Sequence, residues 1–303
     1  MSYWYLSIVG TEVWWPGLIM LGMFVGFLTG LFGVGGGFIL TPCLKILFGI
    51  PYPIAVGSGL AQIFVTGGVS AWKHWKNGNV DLKLGIIMSG GALCGTEIGI
   101  RLLKCFDNIG TIVINGRVFL KMDLIMSGLF FILMSLVAIS ILKETSNKDK
   151  IKGSLSLLFS KFKIFQIHPV LSFPCSNVSE MSLWIPLSAS VLVGILTGLL
   201  GVGGGFISFP ILIYLIGVPT IVAVGTSAFQ ILLASGYGAT RHYFQNHVNF
   251  ILVLLLLIGS VIGVQMGVYA SKFIGDKSLR RNFCWVILLG ICIILFDLYC
   301  KLF

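Results

Sequence analysis

Eight long apolar segments limit what this chain can fold into more than any other feature of its sequence. Each reaches the roughly 20 residues that an α-helix needs to cross the hydrocarbon core of a bilayer. The first and the fifth are longer, and both are interrupted by glycines. The sequence therefore predicts an all-α, polytopic helical membrane protein with about 8–10 membrane segments. The apolar segments span residues 16–48, 52–72, 83–103, 122–142, 182–217, 220–240, 248–271 and 282–300.

Composition and charge exclude several other classes of protein. The chain is 57% hydrophobic and 10% charged, so it has too few polar side chains to cover the surface of a water-soluble domain. Most of its twenty Lys and Arg residues lie between the apolar segments, as they do in membrane proteins. We therefore expect a lipid bilayer as a partner and no nucleic acid. The seven cysteines form no C-x-x-C pair, so we predict no metal site and no cofactor.

The two halves of the sequence repeat each other. Residues 26–99 align with residues 194–267 at a constant offset of 168 positions without a gap, and 30 of the 74 aligned residues are identical. Duplicated halves are typical of secondary transporters, whose substrate site lies where the repeats meet. We therefore divide the chain into a first transmembrane repeat at 1–142, a polar, lysine-rich linker at 143–181 and a second transmembrane repeat at 182–303.

The orientation of the repeats depends on how the glycine-interrupted segments cross the membrane. If each remains one helix, each half has four crossings and the repeats are parallel. If each is split into two crossings, each half has five and the repeats are inverted. The distribution of Lys and Arg favours the inverted arrangement, with the linker in the cytoplasm.

The motif G-V-G-G-G-F stands at Gly33–Phe38 and again at Gly201–Phe206. Four glycines in five residues destabilise a helix, and a break inside the membrane frees backbone N–H groups that favour an anion. Close helix packing is the alternative, and we prefer it for the separate ladder of Gly91, Gly95 and Gly99. The motif glycines predicted to bind an anionic substrate are Gly33, Gly35, Gly36, Gly37, Gly201, Gly203, Gly204 and Gly205.

Polar side chains also lie in the middle of two apolar segments. Ser58 and Gln62 are four residues apart, on one face of a predicted helix. Thr226 and Gln230 align with them in the second half, where Ser227 follows Thr226. Buried hydroxyls and amides need hydrogen-bond partners. These five residues are therefore candidates for binding the substrate or, equally, for bridging neighbouring helices.

Three titratable residues are candidates for coupling transport to proton movement. His74 and His242 end the second apolar segment of each half, and histidine titrates near neutral pH; the alternative is an interfacial histidine that faces a loop. Glu97 lies within the third apolar segment, where a carboxylate is costly and often functional. Arg101 follows one helical turn later and can pair with it, whereas Gln265 replaces Glu97 in the second half.

Catalytic motifs are absent from the sequence. There is no G-x-S-x-G nucleophile elbow, no H-E-x-x-H metal motif and no P-loop lysine after the glycines. We therefore predict no catalytic residues and a protein that is not an enzyme. A polytopic membrane enzyme or a non-transporting membrane assembly factor remains the alternative.

At these motifs the chain resembles the TauE/SafE family of sulfite and sulfonate exporters. The resemblance rests on the doubled G-V-G-G-G-F, on A-V-G-S/T at the start of the second segment, and on His74 followed by Val80 and Asp81. The second half has Asn249 where the first has Asp81. The resemblance implies a multi-pass carrier of the cell membrane for small sulfur-containing or organic anions. With the repeat, it predicts a secondary transporter that works by alternating access.

Overall fold

The computed structural model describes residues 5–8, 10–107, 110–114, 117–146 and 168–302. These residues contain ten α-helices, five in each half. Those of the first half are α1 (Trp15–Phe32), α2 (Gly37–Ile46), α3 (Tyr52–Lys76), α4 (Leu82–Asp107) and α5 (Lys121–Ser146). Those of the second half are α6 (Trp184–Leu200), α7 (Gly205–Pro210), α8 (Thr220–Tyr243), α9 (Phe250–Ser271) and α10 (Asp276–Leu302). A π-helical segment, Ile211–Ile216, continues α7.

Three antiparallel hairpins precede α1, α5 and α6. Their strands are β1 (Tyr5–Ile8) with β2 (Thr11–Trp14), β3 (Thr111–Ile114) with β4 (Arg117–Leu120), and β5 (Val170–Phe173) with β6 (Val178–Ser182). The predicted linker at 143–181 therefore includes the end of α5 and most of the third hairpin. Its residues 147–167 lie outside the described part of the chain.

The helices have the length and composition of membrane spans. Seven are long and apolar enough to cross a bilayer: α1, α3, α4, α5, α8, α9 and α10. Three apolar helices are shorter, namely α2, α6 and the continuous segment Gly205–Ile216. The prediction of a polytopic helical membrane protein is confirmed, and each glycine-interrupted segment is two helices. The orientation of the two halves in the membrane stays a prediction.

The halves are interlocked through their first and fourth helices. Helix α1 packs along α9, and α6 packs along α4. Glycines permit this close approach: a Cβ added to Gly26 would collide with the backbone of Ser260, and one added to Gly95 would collide with the carbonyl of Val191. The packing role predicted for the ladder that includes Gly95 is therefore confirmed.

Helices α3 and α8 pack against each other at the centre. Beside them a cluster of buried aromatic rings joins α2, α7 and α10. The rings of Phe38 and Phe206 stack with centroids 5.5 Å apart, and Phe283 contacts Phe209 at 5.0 Å. Large apolar side chains such as Met20 (65% exposed) lie on the outer surface. In a bilayer this surface contacts lipid, so its exposure carries no penalty.

Candidate functional site

The two glycine motifs interrupt the helices at matching positions. Helix α1 ends at Gly33, which has a φ of 64° and donates its N–H to the Thr29 carbonyl at 2.9 Å. Helix α6 ends in the same way at Gly201, with a φ of 67° and an N–H bonded to Thr197 at 2.9 Å. Positive φ angles recur in both motifs, and only glycine adopts them without strain. The predicted breaks are therefore confirmed.

The breaks face each other in the middle of the molecule. A Cβ added to Gly37 would lie 2.7 Å from the Gly201 carbonyl oxygen, and one added to Gly205 would lie 2.5 Å from the Cα of Val34. All residues of Gly33–Phe38 and Gly201–Phe206 are buried. Each break is therefore covered by the opposite half of the protein, as irregular backbone at membrane depth requires.

The carbonyls and the amides of the breaks differ in their hydrogen bonding. The Gly33 carbonyl accepts a hydrogen bond from the Ser227 hydroxyl at 2.9 Å, and the Gly201 carbonyl accepts one from the Thr41 hydroxyl at 3.4 Å. In contrast, none of the hydrogen bonds between described residues is donated by the backbone amides of residues 34–38 or 202–206. The two breaks therefore bring unpaired N–H donors together in a buried place.

Gln62 on α3 and Gln230 on α8 lie beside the breaks. The residues that follow them, Ile63 and Ile231, pack against glycines of both motifs. Both glutamines are almost fully buried, at 0% and 1% exposed. Neither the side-chain oxygen nor the nitrogen of Gln62 has a partner, and the nitrogen of Gln230 has none. The oxygen of Gln230 accepts a hydrogen bond from the Ser208 hydroxyl at 2.7 Å.

Ser58 and Thr226 each bind a turn of the opposite half. The Ser58 hydroxyl accepts a hydrogen bond from the backbone N–H of Asn249 at 3.0 Å, and the Thr226 hydroxyl accepts one from the N–H of Asp81 at 3.0 Å. Of the two roles predicted from the sequence, bridging is thus observed for both hydroxyls, and substrate binding stays a prediction.

His74 and His242 are buried near the ends of α3 and α8. The Nε2 atom of His74 lies 3.2 Å from the Gly30 carbonyl on α1, and its Nδ1 has no partner. The Nδ1 of His242 lies 3.3 Å from the Nδ1 of His247. Both rings are buried, at 1% and 0% exposed, and the His242 ring lies against His247 in the loop between α8 and α9. Proton coupling by these residues stays a prediction.

Glu97 ties α4 to α8. Its carboxylate accepts hydrogen bonds from Arg241 at 2.8 and 2.9 Å and from the Tyr237 hydroxyl at 2.8 Å. Arg101 on the same helix donates to it at 2.9 Å, so the pairing predicted from the sequence is confirmed. With three neighbouring side chains bound to it, Glu97 is part of a surface cluster between helices. Its predicted part in proton coupling stays a prediction.

Sequence reasoning missed two polar residues at the breaks, Ser208 and Thr41. The repeat alignment places Leu40 opposite Ser208 and Phe209 opposite Thr41, so neither hydroxyl has a counterpart. The only available signal was a lone hydroxyl inside an apolar helix. The hydrogen-bond partner of Ser208 is 22 residues away along the sequence, and that of Thr41 is 160 residues away. Both partners become visible only in the folded chain.

Comparison with known proteins agrees with these features. The family model described as "Sulfite exporter TauE/SafE" matches residues 18–293. "Probable membrane transporter protein YunE" of Bacillus subtilis is 28% identical over 287 residues, which are 92% of this chain and 97% of that protein. "Probable membrane transporter protein MJ0441" of Methanocaldococcus jannaschii is 29% identical over 279 residues, 88% of this chain and 89% of that protein.

No solved structure matches the chain significantly. The family match covers both glycine breaks and both central glutamines, and the relatives align along nearly their whole length. The chain is thus a multi-pass integral membrane transporter, and it belongs to the sulfite exporter TauE/SafE family.

Proposed function

We propose that this protein is a secondary transporter that moves a small anion, such as sulfite, a sulfonate or another small organic anion, across the membrane by alternating access. The observation that carries the proposal is the set of unpaired hydrogen-bond donors where the two breaks meet. These donors are the backbone amides of residues 34–38 and 202–206 and the side-chain amides of Gln62 and Gln230.

Unpaired donors in a buried place are costly. A buried polar group without a partner costs about 1–3 kcal/mol, and native proteins leave very few backbone amides in that condition. The cost is offset if an anion binds there during transport, because each N–H then gains an acceptor. Successive amides in a glycine-rich turn form a concave donor surface for anions, and α2 starts at Gly37 with its positive end at the same place.

The proposed site is free of formal charge, which suits a transporter. Its glycine, valine, phenylalanine and glutamine residues carry no ionised group. An anion held only by neutral donors is attracted strongly enough to leave water but is not fixed by an ion pair. Transport requires this balance, since the substrate must be released on the other side.

The interlocked helices supply a route to alternating access. Helices α1 and α6 pack on the opposite half, and each break joins one of them to a short helix that packs against a central helix. A shift of one half against the other would therefore change the shape of both breaks. His74 contacts Gly30, three residues before the break that begins at Gly33. Protonation of this histidine would thus act on the end of α1, which is how we propose that proton movement is coupled.

The test is transport by purified protein in liposomes, with Gln62→Met as the decisive variant. We expect the wild type to move at least one of radiolabelled sulfite, sulfate, thiosulfate or a small sulfonate. Gln62→Met preserves side-chain size but removes the donor, so transport should fall more than about tenfold. Because the side chain of Gln62 makes no hydrogen bond in the protein, the thermal stability of the Gln62→Met variant should equal or exceed that of the wild type.

Gln265→Met is the matched control. Gln265 lies on the exposed face of α9, so the same substitution there should leave transport as it is. Failure of the wild type to move any of the four anions would contradict the proposal. So would full transport by Gln62→Met, or a Gln62→Met protein whose lost transport is accompanied by lower stability.

A further inference from the structure

One hydrogen bond makes the two halves of the central site unequal. Ser208 on α7 is fully buried, and its hydroxyl donates to the side-chain oxygen of Gln230 at 2.7 Å. The first half has Leu40 at the corresponding position, also fully buried. Gln62 therefore lacks the partner that Gln230 has, although the two glutamines occupy equivalent places on α3 and α8.

The bond determines which end of the Gln230 amide is available to a ligand. With its oxygen held by Ser208, the unpaired atom is the nitrogen, which can only donate hydrogen bonds. A side-chain amide is otherwise nearly free to turn about its last torsion, because that torsion has a broad energy profile. Gln62 keeps this freedom, since both of its polar atoms are unpartnered.

We propose that Ser208 is a positioning residue of the anion site. It holds Gln230 as a fixed donor, whereas Gln62 is an adjustable amide that can donate to an oxyanion or accept from a hydroxyl on the ligand. Gln230 in the second half thus selects a negatively charged group of the ligand, and Gln62 in the first half adapts to the remainder of the ligand. This inference rests on the proposed function, because it assigns roles within the same site.

The experiment compares Ser208→Val with Ser208→Thr. The two side chains have nearly the same size, but only threonine keeps the hydroxyl. We expect Ser208→Val to raise the KM for the transported anion about fivefold, the worth of one positioned hydrogen bond, with a maximal rate within about twofold of wild type. Ser208→Thr should restore the wild-type KM. Ser89→Ala is the control, because Ser89 is a buried serine bonded only to Gly85 of its own helix.

A second measurement does not depend on transport. An anion that binds the folded protein raises its melting temperature in detergent as its concentration increases. Using sulfite, or the panel anion that the wild type moves fastest, Ser208→Val should need about fivefold more anion than Ser208→Thr for the same protection.

The possible results separate this inference from the proposed function. Equal KM values for the Val and Thr variants, or a loss confined to maximal rate and stability, would show that Ser208 serves only packing and would overturn the inference alone. If the wild type neither moves nor is protected by any anion of the panel, both the inference and the proposed function are wrong.

Discussion

The turn between α3 and α4 and the turn between α8 and α9 make the same exchange of hydrogen bonds with different residues. Asp81 in the first turn accepts a hydrogen bond from Leu84 at the start of α4, at 3.1 Å. Asn249 in the second turn accepts one from Leu252 at the start of α9, at 3.0 Å. Each turn also donates its own N–H to a hydroxyl on the central helix of the other half. The shared geometry therefore survives the change from aspartate to asparagine.

The difference between the turns lies in the second carboxylate oxygen. The Oδ2 atom of Asp81 accepts a hydrogen bond of 2.6 Å from Ser176, which lies between β5 and β6. Lys83 adds a hydrogen bond of 3.0 Å to the carbonyl of Ser172 in β5. The first turn is thus fastened to a hairpin by polar contacts. The two turns therefore share the hydrogen bonds of their backbone N–H groups. They differ in that charged side chains, Asp81 and Lys83, bind the first turn to a hairpin.

The largest expected effect comes from removing the capping side chains. Asp81→Ala loses both the helix cap and the bond from Ser176, so it should lower the free energy of unfolding by about 3 kcal/mol. Asn249→Ala loses only the cap and should cost about 1 kcal/mol. Equilibrium unfolding in mixed detergent micelles measures both. Asp81→Asn, which gives the first turn the chemistry of the second, should fall between wild type and Asp81→Ala. Equal losses for the two alanine variants would show that the bond from Ser176 adds nothing.

The main features of the fold could be predicted from the sequence because they depend on local patterns. Runs of about 20 apolar residues indicate membrane helices, and four glycines in five residues indicate a break, as Gly33 and Gly201 show. The ladder that contains Gly95 predicted a close helix contact by its spacing alone. The hairpins within and beside the loops carry no such periodicity, and the sequence did not predict them.

The site was predictable only in part, since its hydrogen bonds join distant residues. The glycines and glutamines could be picked out because they recur at a fixed offset. The bonds from Ser208 to Gln230 and from Asp81 to Thr226 could not, because each depends on how helices far apart in sequence pack together. Asn249 replaces Asp81 in the second half, yet the capping role is common to both.

A smaller effect is expected from removing the hydroxyls of Thr226 and Ser58, which accept hydrogen bonds from the two turns. Thr226→Val removes the acceptor of the Asp81 N–H, and Asp81 is only 3% exposed. That N–H then has no access to water, so the variant should lose about 1–2 kcal/mol of stability. Ser58→Ala removes the acceptor of the Asn249 N–H in a turn that is only partly buried. Water can replace the hydroxyl there, so the loss should be below about 1 kcal/mol. The same unfolding measurement compares them, and a larger loss for Ser58→Ala would reverse the ranking of the two turns.

The smallest expected effect comes from removing the negative charge of Glu97 on α4. Glu97 joins α4 to α8 through Arg241, but Arg241 and Arg101 keep 40% and 75% of their side chains exposed. Water and salt screen such a pair, so Glu97→Gln should lower stability less than Asn249→Ala does, and the decrease should shrink as salt is added. The reverse change, Gln265→Glu, places a carboxylate at the corresponding position of α9, on the exposed face of that membrane-spanning helix. It should lower stability, because a carboxylate that faces lipid without a cationic partner is costly. If Glu97→Gln instead alters transport more than stability, the carboxylate takes part in coupling, and the asymmetry between α4 and α9 is functional rather than structural.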